Sequence, residues 1–168
     1  QKRAKVMMLD YTLPISRDTV KEYLPHRDPM LFIDRVMELS ADRIVVESDV
    51  KSDADVFKGH FPGMPIMPGV LMIETAAQAG ALLVSLTRGL DDGKFIAFSS
   101  VDNAKFKRPV YPNDLLRVEV NIDKIRLPFY RFSGKLFVGL SICNASPHSS
   151  LSTASLNSSI TNSSEPLK

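Results

Sequence analysis

The sequence predicts an α+β domain in which one long apolar helix is wrapped by a curved antiparallel sheet. Two observations carry this. Residues 70–86 form an apolar run broken mainly by Glu74 and Gln78, with apolar residues on every side of a helical projection. Such a segment is a helix buried on most of its surface rather than along one stripe. After it the apolar period changes to two, as half-buried antiparallel strands require. A chain of 168 residues is the size of one domain and buries a core without metal or disulfide.

Taken in order, Ser16 is placed to cap a short helix over "RDTVKEYL", which Pro25 ends. Residues 30–39 and 43–51 read as two strands of a hairpin joined by "SADR". In the second, Ile44, Val46, Ser48 and Val50 share a face. The long helix is expected over 70–88, with Pro68 at its first position and Gly89 at its stop. Strands follow at 95–101, in "LLRVEVNID" and in "YRFSGKLFVGLSI", where apolar and polar residues alternate. We divide the chain into an N-terminal arm (1–12), the main domain (13–144) and a serine-rich C-terminal segment (145–168). Within that last segment Ala154, Leu156, Ser158 and Ile160 suit a final strand over 151–160, while the Ser/Thr/Asn composition also suits a disordered tail.

Composition excludes several functions. With 21 basic and 19 acidic residues the net charge is +2, too balanced to indicate nucleic acid. The one cysteine, Cys143, allows no internal disulfide or cysteine zinc cluster and fits a reducing, cytoplasmic setting. The basic start lacks the apolar segment of a secretory signal. The run at 70–86 is shorter than the roughly 20 residues of a membrane span and contains an acid, so no span is expected. No metal or cofactor site is expected from three scattered histidines and the lack of a P-loop.

The chemistry gathers in "GHFPGMPIMPGVLMIE", residues 59–74. Pro62, Pro65 and Pro68 remove three backbone donors and stiffen a loop that holds His60 at a set angle. The loop ends on a helix start, where unpaired N–H groups offer a site for partial negative charge. Glu74 is the only acid in the helix. Burial raises its pKa and the helix start lowers it, a balance the sequence leaves open. Gln78, one turn on, lies on the same face and can hold the carboxyl. A loop histidine alone is usually structural, and a helical glutamate alone usually serves the helix dipole. Together with the helix start they describe an acid–base site with an oxyanion hole. His26, between Pro25 and Pro29, reads as part of a structural turn in which Arg27 and Asp28 pair locally, and His148 as exposed.

"LPHRDPMLFIDRV", "GHFPGMPIMPGVLMIETAAQAG" and "AKFKRPVYPND" together resemble the FabZ group of 3-hydroxyacyl-[acyl-carrier-protein] dehydratases of type II fatty-acid synthesis, over about 13–138. The resemblance implies the hot-dog fold, His60 as catalytic histidine and Glu74 as catalytic acid. It implies the Gly69 N–H as oxyanion donor and Gln78 as the acid's neighbour. It also implies a homodimer in which histidine and acid of one site come from different subunits, with dimers often joining into hexamers. Glu at position 74 resembles the plain dehydratases, since relatives that also isomerise the double bond carry Asp there. The C-terminal segment departs from the family, which ends in an acid-bearing strand.

The expected reaction is loss of water from a (3R)-3-hydroxyacyl thioester. His60 removes the C2 proton, and Glu74, at least partly protonated in its apolar setting, assists the hydroxyl; alternatively His60 carries the proton across while Glu74 positions substrate. Met64, Ile66 and Met67 are the tunnel candidates. Lys105 and Lys107 on one strand face, with Arg108, are candidates to receive an acidic acyl carrier protein, with Arg126 and Arg131 behind them. A solvated sheet face is an equal reading of that patch. Thioester hydrolase and non-catalytic carrier-binding subunit are the competing functions.

Overall fold

The computed structural model describes residues 11–89, 95–140 and 151–163. Most of the N-terminal arm, Cys143 and His148 lie outside them. The elements are β1 (Ile15–Ser16), α1 (Arg17–Tyr23), β2 (Arg35–Leu39), β3 (Arg43–Asp49), α2 (Val56–Gly59), α3 (Gly69–Arg88), β4 (Phe95–Phe106), β5 (Asp114–Arg126), β6 (Phe129–Leu140) and β7 (Leu151–Ser163). Seven strands make one antiparallel sheet in the order β1-β2-β3-β5-β6-β7-β4.

α3 packs against β5 and β3 and also touches β7, β4 and β6. Those five neighbouring strands span about 19 Å at ~4.8 Å spacing, wider than a helix of ~10–12 Å. Only a curved sheet brings all five to one helix. The inward residues Val118, Val120, Phe132 and Leu136 meet Ala79, Leu82, Leu83 and Leu86 in the core. α3 is long and apolar enough to cross a bilayer, yet 72% of that window is buried inside the fold. Its apolar surface is the core of the domain.

The helix ends follow backbone chemistry. Pro68 has φ −58° and ψ 134°, so its fixed φ suits the helix but its extended ψ puts it one residue ahead of the first position expected for it. Leu71 N–H closes the first turn on Pro68 O at 3.0 Å. At the other end Gly89 takes φ +69°, the left-handed region that glycine enters without a Cβ clash. Ser16 caps α1 as expected, its Oγ accepting from Thr19 N–H.

Residues 30–39 do not form one strand. β2 begins only at Arg35, although Leu31 and Ile33 are buried as strand residues would be. The backbone before it is bonded to side chains instead. Gln78 Nε2 donates to Met30 O at 2.7 Å, and Phe32 N–H donates to Gln78 Oε1 at 3.0 Å. The Arg17 guanidinium donates to Leu31 O and Ile33 O and is anchored by Asp28 and Asp34. Apolar alternation signals burial, but a ladder needs a strand partner, and here two polar side chains occupy that place. β3 is buried on both faces, because Arg35 and Arg117 cover Glu47 on the face away from the core. β4 is longer than the sequence suggests; it pairs with β7 as far as Phe106, with bulges near Ser100 and Lys105.

The Gln78 amide is 1% exposed and uses both donors and its oxygen. Gln78→Leu keeps bulk but leaves Phe32 N–H and Met30 O without partners. A loss of about 1–3 kcal/mol per unpaired group is expected. A denaturant midpoint equal to that of the unmodified protein would show that these bonds do not hold segment 30–34 to α3.

Candidate functional site

His60 sits just after α2, its N–H bonded to Val56 O at 3.0 Å. The proline-rich loop then folds back on it. Ile66 N–H donates to His60 O at 3.0 Å, and His60 Nδ1 lies 2.9 Å from Ile66 O. Between them Phe61 and Met64 exchange backbone bonds around Gly63, whose φ of +77° closes the turn. Phe61 stacks on the imidazole with ring centres 4.0 Å apart. A carbonyl oxygen only accepts, so Nδ1 carries a proton. The neutral ring therefore has its lone pair on Nε2, the state of a general base.

The loop is fastened to the domain by Met67 N–H, which donates to Val110 O at 2.8 Å, and it delivers the chain to α3. Gly69 is the first residue of that helix, where N–H groups lack intrahelical acceptors. A Cβ at Gly69 would lie 3.0 Å from the Phe106 ring. The missing side chain thus lets the end of β4 close over the helix start.

One turn and a half further on, Glu74 points to a cavity of about 180 Å³ that His26, Gln78, Ile96 and Ala97 also line. Gln78 Nε2 donates to Glu74 Oε1 at 2.9 Å. His26 Nε2 stands 3.3 Å from the same oxygen. His26 beside it is the largest influence on the Glu74 carboxyl and holds its pKa below the ordinary glutamate value; burial opposes this, and Gln78 adds to the lowering. Glu74 is accordingly an ionised carboxylate near neutral pH. This corrects the expectation of an at least partly protonated acid: burial does raise its pKa, but His26, brought from another segment, together with Gln78 on the same helix outweighs it.

His26 does precede a turn, closed by Met30 N–H on Arg27 O, but Arg27 and Asp28 do not pair with each other as the sequence suggests. Arg27 donates to Leu24 O and His26 O, while Asp28 pairs with Arg17 rather than with Arg27. That pattern turns the imidazole inward onto α3. Sequence reasoning missed His26 and Phe106 as neighbours of the site.

The structure brings Glu74, Gln78 and His26 together within one chain. Among the described residues His60 makes no hydrogen bond or ion pair with Glu74. The three tunnel candidates diverge: Met64 is 61% exposed, Ile66 is half-buried, and Met67 is buried against a separate cavity of about 200 Å³ beside Leu31, Phe57 and Leu71. Lys105, Lys107 and Arg108 are all exposed, but β4 ends at Phe106, so strand alternation does not align Lys105 with Lys107. Arg126 and Arg131 lie by the β5–β6 turn, where with Lys124 they line a shallow depression.

Comparison with known proteins places this geometry. Residues 24–145 match the FabA-like domain. The FabZ 3-hydroxyacyl-[acyl-carrier-protein] dehydratase of Magnetococcus marinus is 42% identical over 129 residues, 76% of this chain and 84% of that protein. Its counterpart from Coxiella burnetii is 43% identical over 122 residues, 71% of this chain and 86% of that protein. Among solved structures, the dehydratase heterocomplex ApeI:P from Xenorhabdus doucetiae superposes with a TM-score of 0.64 at 20% identity, covering 94% of both chains. The E. coli PaaI protein of the phenylacetic acid degradation operon gives 0.56 at 14% identity, over 75% of this chain and 80% of that one. These distant likenesses are of fold, a single hot-dog domain with one helix against an antiparallel sheet. The close sequence relatives go further: the chain belongs to the FabA-like domain family, among its FabZ-type 3-hydroxyacyl-[acyl-carrier-protein] dehydratases.

Proposed function

We propose that this chain converts (3R)-3-hydroxyacyl-[acyl-carrier-protein] to the trans-2-enoyl form in fatty-acid synthesis, with His60 as base and Glu74 as the group that orients the hydroxyl. The observation that carries the reading is the bond between His60 Nδ1 and Ile66 O, which leaves Nε2 as the basic nitrogen. His60 Nε2 takes a C2 proton from the thioester. The Gly69 N–H, at the positive end of α3, bonds the thioester oxygen as enolate charge develops there. The electron pair returns to form the C2–C3 double bond and the C3–O bond breaks. The departing hydroxyl takes the proton from His60 and leaves as water.

An ionised Glu74 accepts a hydrogen bond from the substrate hydroxyl and sets its direction. Of the two proton routes open in the sequence, the lowered pKa of Glu74 favours the one in which His60 carries the proton across. The lack of contact between His60 and Glu74 within one chain supports a site completed by a second copy. β4 is the last strand of the sheet among the described residues and adjoins both the Glu74 cavity, through Ile96 and Ala97, and the helix start, through Phe106. A homodimer across this region is the assembly we propose.

The exposed Lys105, Lys107 and Arg108 have no ion-pair partner among the described residues, which suits capture of an acidic acyl carrier protein. Met67 and its apolar cavity are retained as an acyl-chain contact, and Met64 and Ile66 as residues of the entrance. β7 pairs with both β6 and β4, so the domain we propose extends beyond 13–144 to include that strand.

The reaction is tested by supplying crotonyl thioester in water. Hydration to the 3-hydroxyacyl thioester is expected; release of free thiol would favour a hydrolase. His60→Ala is expected to slow hydration by about 10²- to 10⁴-fold, and unchanged turnover would overturn its assignment. The Glu74 carboxyl, followed by carbon NMR, is expected to titrate below the ordinary glutamate range. Because the folded value is depressed, its contribution to stability is present above the unfolded value and lost as pH falls through the folded one. A titration above the ordinary range would restore Glu74 as proton donor. For the carrier patch, Lys105→Ala/Lys107→Ala should raise KM for acylated carrier and flatten its salt dependence. A KM indifferent to both changes excludes that surface.

A further inference from the structure

We infer that His26 is a positioning residue for the dehydration, which with Gln78 occupies one oxygen of Glu74 and leaves the other for the substrate hydroxyl. The inference rests on the dehydratase reading above and adds a residue to it. Glu74 Oε1 receives Gln78 Nε2 at 2.9 Å and His26 Nε2 at 3.3 Å, while Oε2 has no partner among the described residues. A carboxylate held by one donor can rotate about its last side-chain bond. Gln78, by a hydrogen bond, and His26, by an ion-pair contact from a different segment, hold the same oxygen, which restricts that rotation and leaves the second oxygen for the cavity that His26 and Glu74 share.

The arrangement costs stability, which argues against a purely structural role. His26 Nδ1 is buried without a hydrogen-bond partner among the described residues. An unpaired buried nitrogen is unfavourable whether or not it carries a proton. A turn between prolines does not call for such a side chain, and the backbone here is held by other groups. Arg27 donates to Leu24 O and His26 O, and Met30 N–H donates to Arg27 O at 2.7 Å. The imidazole is therefore free of any duty to the turn, and among the described residues its one polar contact is Glu74. The residues that share the cavity with the pair, among them Ala77, Ala81 and Ile96, are uncharged, so His26 is the one titratable neighbour of Glu74 there.

Two substitutions separate positioning from packing. His26→Phe keeps a ring of similar shape and removes the donor. His26→Gln loses the ring and restores an N–H donor. A positioning role predicts that His26→Phe lowers kcat for crotonyl thioester hydration by roughly 10- to 100-fold with little change in KM, and that His26→Gln recovers most of the loss. A packing role predicts the reverse order, with the phenylalanine variant the more active. Equal activity of both variants and the unmodified protein would also overturn the inference. Denaturant midpoints of both variants identify any loss due to unfolding, and carbon NMR of the Glu74 carboxyl reads the contact directly: its pKa should rise in His26→Phe and stay low in His26→Gln. If the unmodified protein hydrates crotonyl thioester and the variants do not differ, only the role of His26 falls. If the unmodified protein shows no hydration, the dehydratase reading falls and this inference with it.

Discussion

The Gln78 side chain is the constraint on which the site depends. Buried in the middle of α3, it bonds Met30 O and Phe32 N–H in a segment that has no strand partner, and it also bonds Glu74. A buried amide with an unused donor or acceptor is costly, so the two partners on segment 30–32 are tightly specified. The same segment carries the turn that presents His26. One amide therefore sets the distance between the helix and the chain that lies across it, and places both neighbours of the Glu74 carboxylate.

Electrostatics at Glu74 reverse what hydrophobic surroundings alone would do. In an apolar helix an isolated carboxyl is pushed toward its neutral form. Here donors converge from Gln78 on the helix and His26 on the preceding loop, and the carboxylate is the favoured state. The outcome matters for chemistry, because a carboxylate orients a hydroxyl by accepting from it. In the reaction we propose, the proton traffic then belongs to His60, whose tautomer is set by Ile66 O across the proline-rich loop.

The helix start links the two halves. The proline-rich loop ends where α3 begins, so the proposed base and the proposed oxyanion-binding N–H are delivered by one continuous stretch. Phe106 then lies over Gly69 at the end of β4, which leaves no room for a side chain at that position. The edge strand thus bears on the helix start at one end and on the Glu74 cavity nearer its beginning.

Much of this was legible from the residues. The helix, its glycine stop, the Ser16 cap and the strands of period two follow from local rules, because burial and backbone propensity are written in spacing. The grouping of His60, Gly69, Glu74 and Gln78 as candidates was legible because all four lie in one short stretch. Residues 30–34 misled, since apolar alternation reports burial and does not report what bonds the backbone. His26 and Phe106 were not legible, since each acts on a residue far from it in the chain. The sequence by itself determined the architecture and the short stretch in which the candidate site residues lie. Only the tertiary structure decided the charge of Glu74, the tautomer of His60 and the identity of the second donor, because each depends on a contact between segments that no local pattern encodes.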